Sequence, residues 1–432
     1  MSTISIPVRY RVVGLLLAGT AINYLDRVNI SVAATAMMSG TGLQKDSLGL
    51  VFSAFLLGYA VMQIPAGVIA DRRSAKRLLA LAFCAISILT ALTPLAAHTF
   101  VSLILVRFLL GACEAVMFPG ATAFNVRWFP PAEFARAQML SASGAPIGQM
   151  IAYPLVAWIV LQASWQVAFY VSALLGIIWL CFWLWYSRDY PRDHPSITGK
   201  ELSLLDRQVP PETESNRPLL KLLTTAPVLV LSASAMCFAF VLWTFLFWLP
   251  TYLAEARGLS LGSIGAFGVG IQVCGALGLI ASGAVSDFIL RTTQKAHLAR
   301  PKFSGVCLLL AVMFLTGAVT VASTPTSLVL LSAFYFFFMC TPVAYHATPA
   351  SLLPSQAASI YGVINTCASL GGVLGPAIVG SLVTHATGWE RSLVIVAGVG
   401  LVASMLLFAV PVRRLDLTES RGGARGGSLI HS

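Results

Sequence analysis

The stretch GLLLAGTAINYLDRVNISVAATAM (14–37) places a charged pair, Asp26 and Arg27, inside an otherwise apolar run. The run has about the length a helix needs to cross a bilayer. Even lenient insertion scales charge roughly 2.5–3.5 kcal/mol for each ionised side chain at the centre of such a helix. A chain that keeps two of them is expected to use them, on an ion or substrate pathway.

The rest of the chain has the same character. Of its 432 residues 57% are apolar and 10% charged, against about 25% charged in a soluble domain. Twelve apolar segments can be drawn, over 11–36, 47–70, 77–96, 100–126, 138–160, 166–187, 225–253, 262–285, 303–322, 326–350, 357–383 and 391–411. The first lacks an A-x-A cleavage site and is read as a retained span.

A net charge of +11 would ordinarily suggest nucleic acid, but the positions of the charges exclude it. Of 27 Lys and Arg, Arg27 and Arg107 fall inside spans, and Lys45, Arg257 and Arg391 fall in one set of loops. The other 22 fall in the alternate loops and both tails, a positive-inside pattern that predicts cytoplasmic termini. The eight cysteines lie in apolar spans without a CxxC and read as small buried hydrophobes, with no metal site implied.

The longest polar stretch, 188–224, divides the spans six and six. The halves repeat: GVIADRR (67–73) ends the second span and GAVSDFILR (283–291) the eighth, with Asp71 and Asp287 216 residues apart. SASGAPIGQMIAYP (141–154) and SLGGVLGPAIVG (369–380) carry small residues at helical spacing, which lets helices approach closely. The expected fold is an all-α membrane protein of twelve transmembrane helices in two pseudo-symmetric six-helix bundles. They would occupy 1–187 and 225–412, with a cytoplasmic linker at 188–224, holding a short surface helix at 199–208, and a cytoplasmic tail at 413–432.

Within the first span Tyr24, Arg27 and Ser31 share a helix face, with Asn23 beside them, and this stripe should face a cavity between the halves. Arg107 and Glu114 are seven apart, two turns along one face of the fourth span. Two arginines and two carboxylates balance when both acids are ionised; protonating either leaves net positive charge for an incoming anion. That is the physical logic of proton–anion symport. The alternatives are a static ion pair at Asp26–Arg27 and a packing carboxyl at Glu114.

The order NYLDRVN (23–29), FSAFLLGYAVMQIPAGVIADR (52–72), RFLLGACEAVMFPG (107–120), WFPPAEFARA (128–137), FWLPTYL (247–253), TPVAYHA (341–347) and INTCASLGGVLGP (364–376) resembles the anion:cation symporter family of the major facilitator superfamily. Its members include bacterial permeases for sugar acids such as D-galactonate. The resemblance implies that Arg27 binds the substrate carboxylate and that Asp26 and Glu114 couple protons. It implies that Tyr24, Tyr59, Arg107 and Asn365 line the cavity. Ala145 stands where galactonate-type members carry Gln, so Gln149 one turn on is expected to substitute, and Tyr345 stands where many have Trp. Asp71, Arg72 and Asp287 are expected gating contacts, and Asp71 is a candidate cap for the next helix. Trp243 and Trp248 are cavity or packing aromatics, and His346 is a cavity or packing histidine.

GLSLG (258–262) fits a hydrolase nucleophile motif, but it lies in a short loop between spans without partners. The expected function is secondary active transport: proton-coupled symport of an organic carboxylate, a sugar acid such as an aldonate or aldarate, into the cell. An aromatic-acid or dicarboxylate permease, or an anion exchanger, is the alternative. The partners are the small anion, protons and lipid; the chain is expected to act as a monomer in the bacterial inner membrane, without enzymatic activity or cofactor.

Overall fold

The computed structural model describes residues 7–129, 131–205, 225–352, 357–385 and 388–411. Among them no strand occurs. The first six spans are built from α1 (Val8–Thr41), α2 (Lys45–Arg72), α3 (Ala75–Ala96), α4 (Phe100–Glu114) with α5 (Met117–Trp128), α6 (Pro131–Ala142) with α7 (Gly144–Gln162), and α8 (Trp165–Tyr186). A short helix α9 (Gly199–Leu205) follows. The second six are α10 (Ala226–Glu255), α11 (Leu261–Thr293), α12 (Phe303–Thr320), α13 (Thr324–Met339) with α14 (Val343–Leu352), α15 (Ala357–His385) and α16 (Gly388–Ala409).

Among the described residues, 11 spans are long and apolar enough to cross a membrane. The twelfth is α1, whose 34 residues are diluted by Asn23, Asp26, Arg27 and Asn29. The burial pattern is inverted, as lipid-facing helices require. Leu81, Ile280 and Phe288 are exposed, whereas Arg107 and Glu114 are fully buried.

Three spans expected as single helices are interrupted. The fourth turns at Ala115–Val116, directly after Glu114; the fifth turns at Ser143; the tenth turns at Cys340–Pro342. The expected helix at 199–208 is α9, ending at Leu205, and residues 206–224 and the tail 412–432 lie outside the described set. Glu201 of α9 accepts from the first amides of α1, Val8 N at 3.3 Å and Arg9 N at 3.1 Å. It thereby satisfies donors that a helix start leaves open. Ser74, rather than Asp71, caps α3 by accepting from Arg77 N at 3.0 Å. Asp189 holds the same turn, accepting from Ser74 Oγ, Lys76 N and Arg127 Nη1. Asp71 ends α2 with its side chain outside the described set.

The two sets of spans meet where α2 packs on α15, α7 on α11 and α1 on α10. These seams are shut at the end opposite the termini. Ser31 Oγ donates to Phe247 O at 2.7 Å, and Phe52 stacks on Phe247 with centroids 4.6 Å apart. Trp248 packs edge-on against Phe52, with centroids 5.3 Å apart. Lys45–Glu255 (3.0 Å) and His385–Asp46 (3.1 Å) bridge the rim. At the end bearing the termini, Gly67 of α2, Gly283 of α11 and Gly362 of α15 face open space.

Candidate functional site

The site lies at mid-depth, where long side chains from α1 and α4 meet beside α2. The α2 and α4 helices touch backbone to backbone: a Cβ on Gly58 would overlap the Phe108 carbonyl, and one on Gly111 the Phe55 carbonyl. The turn after Glu114 ends α4 there and leaves the carboxylate pointing inward. Arg27 donates to Glu114 Oε2 from Nε at 3.1 Å and from Nη2 at 2.9 Å. Both side chains are buried, 2% and 0% exposed. Such charge-assisted bonds are about twice as strong as neutral ones.

Four rings enclose the Arg27 guanidinium: Tyr24 at 4.6 Å, Tyr59 at 4.8 Å, Phe55 at 5.2 Å and Trp243 at 5.2 Å. Each cation–π contact contributes roughly 0.5–2 kcal/mol. Trp243 comes from α10, so the cage is completed by the second set of spans. Asp26 takes a hydrogen bond from Thr90 Oγ1 of α3, while its Oδ1 has no protein partner. Arg107 lies within electrostatic range of both Asp26 and Glu114, with no protein acceptor for its nitrogens and its guanidinium 4.8 Å from the Phe55 ring. Glu114 therefore pairs across helices with Arg27 rather than along α4 with Arg107.

The remaining expected residues divide. Tyr24 and Tyr59 join Arg27 in the cage. Gln149 is buried on α7, one turn before Tyr153. Asn365 is half-buried on α15, its carbonyl accepting from Ser369. Tyr345 lies away from the cage, hydrogen-bonded to Ser234 at 2.9 Å and packed on Phe238. Arg72 and Asp287 are exposed at the open end, with Asp287 in electrostatic range of Arg300. His346 is exposed, with its ring 4.8 Å from that of Tyr361. Trp248 belongs to the shut rim. Sequence reading missed Phe55 and Thr90, whose roles depend on which helices adjoin, and treated Trp243 as undecided. Ser260 of the GLSLG decoy caps α11, accepting from Ser263 N at 3.3 Å.

A buried guanidinium–carboxylate pair inside the first six-span set, its aromatic cage completed by Trp243 of the second and the two sets sealed together at the end opposite the termini, is the build of a membrane carrier. Residues 16–376 match the Major Facilitator Superfamily, and the chain belongs to it: a transporter, not an enzyme. The chain is 31% identical over 427 residues to a probable sulfoacetate transporter of Cupriavidus necator, covering 97% of each. It is 30% identical over 394 residues to a hexuronate transporter of Bacillus subtilis, covering 90% of this chain and 92% of that one. Its fold matches the crystal structure of a bacterial homologue of the human lysosomal transporter Spinster in an inward-facing, unoccupied conformation. The TM-score is 0.79 at 20% identity, over 94% and 97% of the two chains.

Proposed function

We propose that this chain is a proton-coupled symporter of an organic carboxylate, with sugar acids as the substrate class, working by alternating access between its two six-span sets. The reading rests above all on the Arg27–Glu114 pair. A guanidinium fork suits a carboxylate, and here one internal carboxylate oxygen occupies the Nε–Nη2 edge. Protonation of Glu114 frees that edge, and an incoming carboxylate replaces the lost acceptor. Asp26, fixed by Thr90 and facing Arg107, is the second proton site. Release of the anion returns Arg27 to Glu114, which favours loss of the proton at the same face.

On this reading the termini and the linker are cytoplasmic, the open end faces the cytoplasm, and the protein acts as a monomer in the bacterial inner membrane. Tyr24, Tyr59, Arg107, Gln149 and Asn365 surround the bound anion. Asp71, Arg72 and Asp287 act as gating contacts when the cytoplasmic end closes. Sulfoacetate and hexuronates, named for the two relatives, are both organic anions and agree with a carboxylate-binding site.

The test is Glu114→Gln, whose amide imitates the protonated acid while keeping an oxygen for Arg27. In proteoliposomes it should lose accumulation driven by a pH gradient yet retain anion binding and counterflow exchange, with binding less dependent on pH between 5.5 and 8. Accumulation at the native level would overturn the role of Glu114.

A further inference from the structure

Resting on that reading, we infer that Gln272, with Tyr153 and Tyr335, forms the opposite pole of the substrate site, an uncharged hydrogen-bonding subsite that takes the hydroxyl-bearing chain of a monoanionic sugar acid. Gln272, Tyr153 and Tyr335 belong to α11, α7 and α13, and the sequence reading gave none of them a role in binding.

Gln272 lies between Gly268 and Gly275, one turn from each. The Tyr153 ring occupies the space a side chain at Gly268 would take, and the Tyr335 ring does the same at Gly275. Two glycines thus seat two tyrosines on either side of one carboxamide, which lies within reach of both hydroxyls. All three residues are buried, Tyr153 at 0%, Gln272 and Tyr335 at 3%. Yet Gln272 Nε2 and Tyr153 Oη, though beside one another, close no hydrogen bond of ordinary length and angle. Buried donors left unpaired are costly and call for an explanation, which a ligand hydroxyl at this place would supply.

Depth agrees with this. Counting about 1.5 Å per helical residue from the shut end, Arg27 lies about 21 Å in and Gln272 and Tyr335 about 17 Å in. Tyr24 links the poles, in the Arg27 cage on one side and within electrostatic range of Tyr335 on the other. A carbon chain held by its carboxylate at Arg27 would reach the carboxamide from below.

The chemistry of this pole selects. Gln272 offers two N–H donors and the tyrosines two O–H groups, all neutral. Among the described residues of α7, α11 and α13, Arg291 is the one basic side chain, near the open end of α11. A hydroxyl, which both donates and accepts, suits such a set. A second carboxylate or sulfonate at this pole would find no basic residue near it on the three helices that form the pole, and a charge buried beside neutral groups costs far more. Hydroxylated monoanions such as hexuronates and aldonates should therefore be favoured over dianions such as aldarates and sulfoacetate.

Thermal stabilisation of the purified full-length protein measures this, titrating D-glucuronate, D-galactonate, galactarate, sulfoacetate and propionate. We expect the two hydroxylated monoanions to bind at least about tenfold more tightly than either dianion. Gln272→Leu and Tyr153→Phe should each weaken glucuronate about tenfold, the effect of roughly one lost hydrogen bond, and leave propionate unchanged. Should Gln272→Leu not fold, Tyr153→Phe, which removes only a hydroxyl, carries the same comparison. Tighter binding of either dianion overturns the proposal, as does equal weakening of glucuronate and propionate by the variants. Failure of every acid, propionate included, would instead remove the carboxylate site at Arg27 and this subsite with it.

Discussion

At the scale of single residues, the Arg27 guanidinium is held by four aromatic faces and one carboxylate oxygen. A lysine there keeps the charge but loses the planar fork, and its compact ammonium is more strongly hydrated. Arg27→Lys should therefore weaken carboxylate binding by about ten- to a hundredfold, measured by calorimetry on the purified protein, the size expected for charge-assisted bonds of about 1.5–3 kcal/mol. Arg107→Lys should weaken it less, because Arg107 faces Asp26 and Glu114 rather than the cage. Near-native binding by Arg27→Lys would refute the assignment. Sequence alone singled out the four charged residues, since apolar spans make any charge conspicuous. It left their pairing open, because a spacing of seven brings Arg107 and Glu114 to one face of a helix and says nothing of the neighbour opposite. Tyr345 shows the same limit: its motif is legible, but its direction depends on how α13 breaks before α14.

Helix spans were legible from hydropathy because the bilayer sets their length, whereas their interruptions were not. The turns at Ala115–Val116 and Ser143 contain no proline of their own, but Pro119 and Pro146 stand three residues beyond them, where each removes the N–H that would bond four residues back to Ala115 and Ala142; hydropathy alone passes over that signal. What fixes α4 is contact with α2, where Gly111 meets the Phe55 backbone. Gly111→Val would force the two helices apart and carry Glu114 away from Arg27. Overpacking of this kind costs about 1–3 kcal/mol, so the variant should melt lower and lose anion binding, while Gly67→Val, in open space, should melt like the native protein. The segment between α8 and α9 supplies a pH-dependent case. His194 is buried against Trp128 and Tyr186, and Ser196 N donates to its Nδ1 at 3.2 Å. Burial first, and the charge of Arg188 second, hold its pKa below the ordinary 6.5. Below pH 6.5 the unfolded segment binds more protons than the folded one, so stability is complete above that value and declines as pH falls through the folded pKa. Hydrogen exchange at the Ser196 amide should therefore be faster at pH 5.5 than at pH 7.5, after correction for intrinsic rates, and His194→Gln should remove that pH dependence. Equal protection at both pH values would refute it.

For the molecule as a whole, orientation follows from where the basic residues lie, and the fold makes that argument testable at two points. Of the 22 basic residues assigned to one side, those among the described residues group with the end where Gly67, Gly283 and Gly362 face open space. The rim joined by Lys45–Glu255 and His385–Asp46 carries the sparse basic residues. Thr198 caps α9 at the first end, accepting from Glu201 N at 3.2 Å, and Ser260 caps α11 at the second. Cysteine at either position gives up a cap worth about 1 kcal/mol, a loss the fold should tolerate. In a background with the eight native cysteines replaced, a membrane-impermeant maleimide added to intact cells should label Ser260→Cys. Thr198→Cys should be labelled only after the cells are opened. Labelling of both from one side would break the twelve-span arrangement. Labelling of Thr198→Cys alone in intact cells would keep the spans but invert the molecule, directing the open end of this conformation outward and reversing the direction of proton release proposed for Glu114.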